Sequence, residues 1–181
     1  MEIHLENMQD DLWPCPDGWT VVGRVGRQSL AYDPERRPFL LSEGEEPVPL
    51  DPAVVNASLY PAIEEAALRL WPSGWAAPLS DVFKVDRRAV TPSRIAKKGL
   101  HPRVLRALGR LAEDFDGEAA SRGYLLVALA RYVDRYHWPR DSLGGSREDV
   151  ERDVDRCMDL LINARSRGPT FPSRRTEADE D

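Results

Sequence analysis

Only two cysteines occur in the chain, Cys15 and Cys157, and they stand far apart. Two isolated thiols cannot build a disulfide framework, and neither sits in a CxxC or zinc-ligand spacing. The sequence therefore predicts reduced thiols in a cytoplasmic protein. Histidine is as scarce: His4, His101 and His137 fall into no HExxH-type spacing, so no metal site is expected. No apolar run approaches the roughly 18–20 residues of a membrane span. The longest, Tyr124 to Ala130, has the length of a core helix. The N-terminal MEIHLENMQDDLW is acidic and has no basic stretch leading into an apolar one, so no secretory signal is predicted. A phosphate-cradling GxxxxGK loop and a GxSxG elbow are both missing. The acidic cluster Glu113, Asp114, Asp116 and Glu118 lacks the full calcium-loop pattern and reads as helix capping and solvation. Neither an enzyme nor a bound cofactor is expected.

What is abundant is charge, and it is unevenly spread. The 181 residues carry a net charge of −6, with 31% charged and 41% hydrophobic side chains, the balance of a soluble globular chain. Residues 1–82 hold 5 basic and 14 acidic side chains, residues 83–140 hold 13 and 6, and residues 141–181 hold 7 and 11. Between Lys84 and Arg110 nine Lys or Arg face one acid, Asp86. Such local concentration is what a nucleic-acid face needs, because phosphate neutralisation supplies most non-specific affinity. A solvated basic face that neutralises the acidic ends of the same chain is the competing expectation.

Along the chain, Met1 to Gly18 reads as irregular. Trp19 to Val25 and Gln28 to Leu41 read as short strands, with turns at Gly26-Arg27 and Asp33-Pro34, giving a β-hairpin or three-stranded meander. Ser42 to Pro52 reads as an acidic linker. Helical periodicity begins at Pro52 and runs to Leu70, with Pro61 a possible division point. Further helices are predicted over Pro102–Phe115, over Glu118–His137, and from an N-cap at Ser146 to about Arg165. Tyr124, Leu125, Leu129, Tyr132, Val133 and Tyr136 form a wide apolar stripe on the second of these. Val150, Val154, Cys157, Met158 and Leu161 point inward on the last. Gly168 to Asp181 is rich in proline and charge and is expected to be disordered. Leu12–Trp19 (LWPCPDGW) and Leu70–Trp75 (LWPSGW) share a Leu-Trp-Pro start and a Gly-Trp end; both are expected to be turns pinned by tryptophan packing.

The segment Trp75 to Val90, WAAPLSDVFKVDRRAV, carries the most specific pattern. Trp75, Leu79, Val82, Phe83, Val85 and Val90 are spaced as the buried positions of two short helices joined at Lys84-Val85, with Ser80 at their close approach and Asp86 capping the second. The stretch resembles the helix-turn-helix of the Xre/Cro, or lambda-repressor-like, DNA-binding domains, whose pattern is Trp-x-x-x-Leu-small-x-x-apolar-turn-Val-Asp/Ser-x-Arg-x-Val. The resemblance covers about a third of the chain, from about Ala53 to Phe115. It implies that the second helix enters the major groove, with Arg87, Arg88 and Thr91 meeting base edges. Arg94, Lys97, Lys98 and Arg103 would hold phosphates. Lys84 stands where that family usually has glycine, and Pro92 falls where the second helix would continue. A different parse therefore places Thr91 as N-cap, Pro92 at the first helical position, Ser93–Lys98 as the basic helix and Gly99 after its last turn.

The expected architecture is mainly α (α+β): a β-hairpin region with acidic linker over 1–50, a basic helix-turn-helix-like domain over 51–116, a C-terminal helical pair over 117–166, and a tail over 167–181. The expected partner is double-stranded DNA, bound by a homodimer joined through the C-terminal helices. The alternative is an interaction or inhibitor protein whose basic face meets an acidic protein. No membrane association is expected.

Overall fold

A computed structural model describes residues 1–7, 15–113, 117–135 and 147–166. The fold is α+β, an N-terminal antiparallel sheet followed by helices. The sheet is a five-stranded meander in sequence order: β1 (His4–Leu5), β2 (Thr20–Val25), β3 (Gln28–Tyr32), β4 (Pro38–Leu41) and β5 (Val48–Pro49). The first and last of these strands lie where the sequence pattern suggests irregular chain or linker. They are only two residues long, too short to show alternation, and exist because β2 and β4 offer open edges to pair with. β1 can reach β2 because Gly23 carries no side chain: a Cβ there would stand 2.0 Å from the His4 carbonyl oxygen. A bulge at Val22 follows, since Val21 pairs with Ala31 and Gly23 with Leu30.

Both faces of the sheet are covered. Val22, Leu30 and Tyr32 face the helices, whereas Val21, Ala31 and Leu41 form a small second cluster with Cys15 and Trp19. Trp19 packs on Phe39 with ring centroids 4.5 Å apart.

The helices are α1 (Pro52–Leu70), α2 (Ala76–Phe83), a 3₁₀ turn (Arg87–Val90), α3 (Pro92–Lys98), α4 (Pro102–Ala112), α5 (Ala119–Arg135) and α6 (Arg147–Ser166). Proline begins α1, α3 and α4, where its fixed φ suits the helix and its missing N–H would have been unpaired anyway. α1 is not divided at Pro61. The proline ring sits on the exposed side, while Leu59, Ala62, Ile63, Ala66, Ala67 and Leu70 hold the other side in the core, and that burial outweighs one missing backbone hydrogen bond. The core draws on β1, β2, β3 and α1 through α5 together. Accordingly Met1–Arg135 forms one compact unit and Tyr136–Asp181 a second, so the divisions expected at residues 50 and 116 fall within the first.

α5 turns a different face inward from the one its apolar stripe suggests. Ala119, Gly123 and Val127 pack inward, while Tyr124 and Leu125 are 57% and 53% exposed. The reason is close approach at Gly123, where a Cβ would meet the Leu70 carbonyl oxygen at 2.1 Å. The small residues set the contact and rotate the large ones outward. Of the second unit the described residues form α6, whose Cys157, Met158 and Leu161 are exposed rather than inward. The expected N-cap at Ser146, Tyr136 and the tail over 167–181 lie outside the described residues. No described helix is long and apolar enough to cross a membrane.

Candidate nucleic-acid interface

The basic segment folds as α2, a left-handed turn, the 3₁₀ turn and α3. α2 buries Leu79 and Ser80, and Ser80 donates to the Ala76 carbonyl at 2.8 Å. Lys84 ends the helix in the left-handed conformation, φ 54 and ψ 39, with its N–H on the Ser80 carbonyl. Its ammonium pairs with the Asp134 carboxylate of α5, which holds the side chain beside the helix it follows. Asp86 then caps the 3₁₀ turn, accepting from the Arg88 N–H at 2.8 Å. Val90 is buried, and Thr91 is extended as it must be before a proline. α3 follows from Pro92 and closes with the Gly99 N–H on the Ile95 carbonyl at 2.7 Å; Gly99 has φ 64, which glycine adopts without strain.

Of the two parses open from the sequence, the helix from Pro92 to Lys98 is the one that forms. Arg87 and Arg88 belong to neither neighbouring α-helix but to a 3₁₀ turn of their own. α2 packs chiefly on α5, and α3 on α1.

All seven residues expected to touch DNA are exposed: Arg87, Arg88, Thr91, Arg94, Lys97, Lys98 and Arg103. They are not equivalent. Arg87 leans on Asp81 at 3.7 Å, a carboxylate it shares with Arg131. Thr91 donates its hydroxyl to the Arg88 carbonyl at 3.2 Å. Arg88, Arg94, Lys97, Lys98 and Arg103 form no ion pair among the described residues. Arg88, Arg94 and Lys98 come together around an open depression of about 290 Å³, which Asp86 and Gly99 also line. Lys97 and Lys98 lie in the last turn of α3, where the helix dipole favours positive charge.

Lys98 is shared with a second, more polar cleft that sequence reading missed altogether. Arg36, Asn56 and His101 line it, from the β3–β4 loop, α1 and the residue before α4. No local signal marks them, since the turn Asp33-Pro34 and the helix around Asn56 look ordinary in isolation. His101 caps α4, its Nδ1 accepting from the Arg103 N–H at 3.2 Å. Desolvation by the surrounding protein, then the charges of Arg36 and Arg103, hold its pKa below the usual 6.5. We expect the His101 ring resonances to titrate below pH 6.5, and Arg36→Gln to raise that midpoint. A depressed histidine leaves stability whole above the unfolded value and lowers it as pH falls toward the folded one. A midpoint at or above 6.5 would show that the positive field is not felt at the ring.

Among the described residues no group of His, Cys, Asp and Glu is arranged to hold a metal ion. No protein-family model, curated protein or solved structure matches the chain.

Proposed function

We propose that this protein binds double-stranded DNA through the surface made by the 3₁₀ turn, α3 and the start of α4, acting as a transcriptional regulator or a phage or mobile-element DNA-handling factor. The supporting observation is the set Arg88, Arg94, Lys97, Lys98 and Arg103, exposed and free of ion pairs among the described residues, in a chain with net charge −6. A polyanion satisfies such a surface best. Arg88 and Arg94 meet base edges, where a guanidinium can take the O6 and N7 of guanine. Lys97, Lys98 and Arg103 hold phosphates and set register. Arg87, engaged with Asp81, is left out of the contact.

Binding to a labelled mixed-sequence duplex at about 50 and about 200 mM salt tests this. On a duplex of mixed sequence, where Arg88 and Arg94 also rest on phosphates in place of their bases, neutralising about five phosphates predicts a log–log slope of about −4 to −5, so affinity falls a few hundred-fold across that range. Absence of binding at the lower salt would reject the proposal. It would favour the second reading, an acidic protein partner, for which Lys84–Asp134 and Arg87–Asp81 are intramolecular precedents.

The active form in this proposal is a homodimer, because two modest half-site contacts then act as one strong one. Tyr124 and Leu125 of α5 are exposed beside an apolar groove of about 430 Å³ lined by Trp71, Pro78, Tyr124 and Val127, among others. Sedimentation at micromolar concentration should find a dimer that Leu125→Asp converts to monomer. A wild-type monomer would remove the dimer from the proposal and leave the DNA contact standing.

A further inference from the structure

The cleft on the far side of Lys98 is a different kind of place from the exposed basic face. It encloses about 300 Å³ between Tyr32 and Arg36 on the sheet side, Asn56 on α1, and Lys98, Gly99 and His101 on the α3–α4 connection. No carboxylate lines it among the described residues. In the neighbouring depression, by contrast, Asp86 sits among the arginines. Three elements distant in sequence bring positive charge and hydrogen-bond donors to one concave spot.

Arg36 reaches this position at a conformational cost. It and Lys84 are the non-glycine residues with positive φ among those described, Arg36 at 66°. Lys84 is a helix end, but Arg36 is fixed by the loop around it. The Arg36 N–H donates to the Asp33 carbonyl at 2.9 Å, and the Asp33 N–H to the Arg37 carbonyl at 3.1 Å. The buried Asp33 carboxylate takes the Arg37 backbone N–H at 2.8 Å and its guanidinium at 2.6 Å. Arg37 is thus tied down, while Arg36 has no ion pair among the described residues and faces the cleft. The left-handed residue completes a three-residue hairpin loop, and that loop carries the Arg36 side chain to the cleft. Tyr32, 5% exposed, also lines the cleft, and its hydroxyl is buried with no hydrogen-bond partner among the described residues. Buried polar groups left so are uncommon.

We propose that this cleft binds the phosphate group of a small phosphorylated molecule, with Arg36 and Lys98 as its charged anchors and Asn56 and His101 as hydrogen-bond donors. A phosphate dianion matches two cations and several donors better than a carboxylate does, and a guanidinium can grip it in bidentate fashion. The His101 ring is already oriented as a donor. Its Nδ1 is engaged by the Arg103 N–H, so the neutral ring carries its proton on Nε2. The volume stands at the lower end of small-molecule sites and accommodates a phosphate with a sugar-sized body. This site lies beside the proposed DNA face but does not depend on it.

The test is a titration of the full-length ¹⁵N-labelled protein with inorganic phosphate and with ribose 5-phosphate, chloride keeping ionic strength constant. Saturable shifts are expected, confined to the neighbourhoods of Tyr32, Arg36, Asn56, Lys98 and His101. Arg36→Gln should weaken binding at least tenfold, Arg36→Lys less, and Lys98→Gln, which leaves the loop untouched, by a comparable amount. Arg36→Gly should lose binding as Arg36→Gln does while raising Tm by about 2–4 °C, because the left-handed backbone is no longer strained. Shifts that fail to saturate and spread over Arg87, Arg88 and Arg110 would reduce the effect to general charge screening and overturn the proposal. Unchanged phosphate binding in Arg36→Gln would do the same. In a parallel duplex titration Arg36→Gln should keep its affinity within about twofold; loss of duplex and phosphate binding together would overturn the small-molecule site and assign the cleft to the nucleic-acid backbone.

Discussion

Replacing Arg88 and Arg94 by glutamate and Lys97 and Lys98 by glutamine is expected to lower duplex affinity by about a thousandfold or more at low salt. Four of the five cations of the proposed face that form no ion pair among the described residues are removed, and two of them become repulsive. Removing a phosphate-binding cation flattens the salt dependence by about one unit of slope, so the residual binding should be nearly insensitive to salt. The substitutions differ from those that sequence alone would choose, since Arg87 already has Asp81 as an intramolecular partner. Glutamine rather than glutamate at Lys97 and Lys98 avoids placing negative charge at the C-terminal end of α3. All four side chains are exposed, so the variant should unfold close to the wild-type midpoint. A folded variant that still binds with the wild-type salt slope would place the DNA contact elsewhere.

Trp71→Ala is expected to cost about 3–5 kcal/mol of the stability of Met1–Arg135. Trp71 ends α1 at 2% exposure, and its indole N–H donates to the Gly123 carbonyl of α5 at 2.9 Å across a buried contact. Truncation opens a cavity and also removes that cross-helix hydrogen bond. Trp71→Phe keeps much of the volume and loses the hydrogen bond, for an expected cost of about 1–3 kcal/mol. Gly123→Ala attacks the same junction from the other side. Its Cβ would meet backbone, the Leu70 carbonyl oxygen at 2.1 Å, which cannot swing away as a side chain could. A cost of about 1–3 kcal/mol or more follows from separating α5 from α1. Urea denaturation would measure all three. A loss below about 1 kcal/mol for Trp71→Ala would mean that α5 is not held to α1 at this point.

The shared Leu-Trp-Pro motif shows how far local pattern reaches. Tryptophan packing is what both copies suggest, and in the second copy Trp71 and Trp75 are buried at 2% and 8%. In the first, Trp19 packs on Phe39, and Trp13 lies outside the described residues. The partner of Trp71 is not legible locally, because Gly123 lies 52 residues further along the chain. The same limit applies to the charged residues. Their exposure follows from the pattern, but that Lys84 pairs with Asp134 and Arg87 with Asp81 is a product of helices meeting in space.

Local chain chemistry was enough to specify the α+β class, the hairpin centred on Gly26 and the helix starts at Pro52 and Pro102, whereas the Asp86 cap and the helix from Pro92 to its end at Gly99 belonged to two parses between which only the fold chose. Each depends on proline's constrained φ, a side-chain oxygen within reach of a free N–H, or glycine's freedom at positive φ. Packing between distant elements was needed to carry α1 through Pro61 and to turn Ala119 and Gly123 of α5 inward in place of Tyr124 and Leu125. It was needed as well to add two dipeptide strands to the sheet. The same packing brought Arg36 to Lys98 and His101 across more than sixty residues. Burial and close backbone contact are shared among distant elements: their free energy belongs to the assembled core, and no window of sequence contains both sides of the contact.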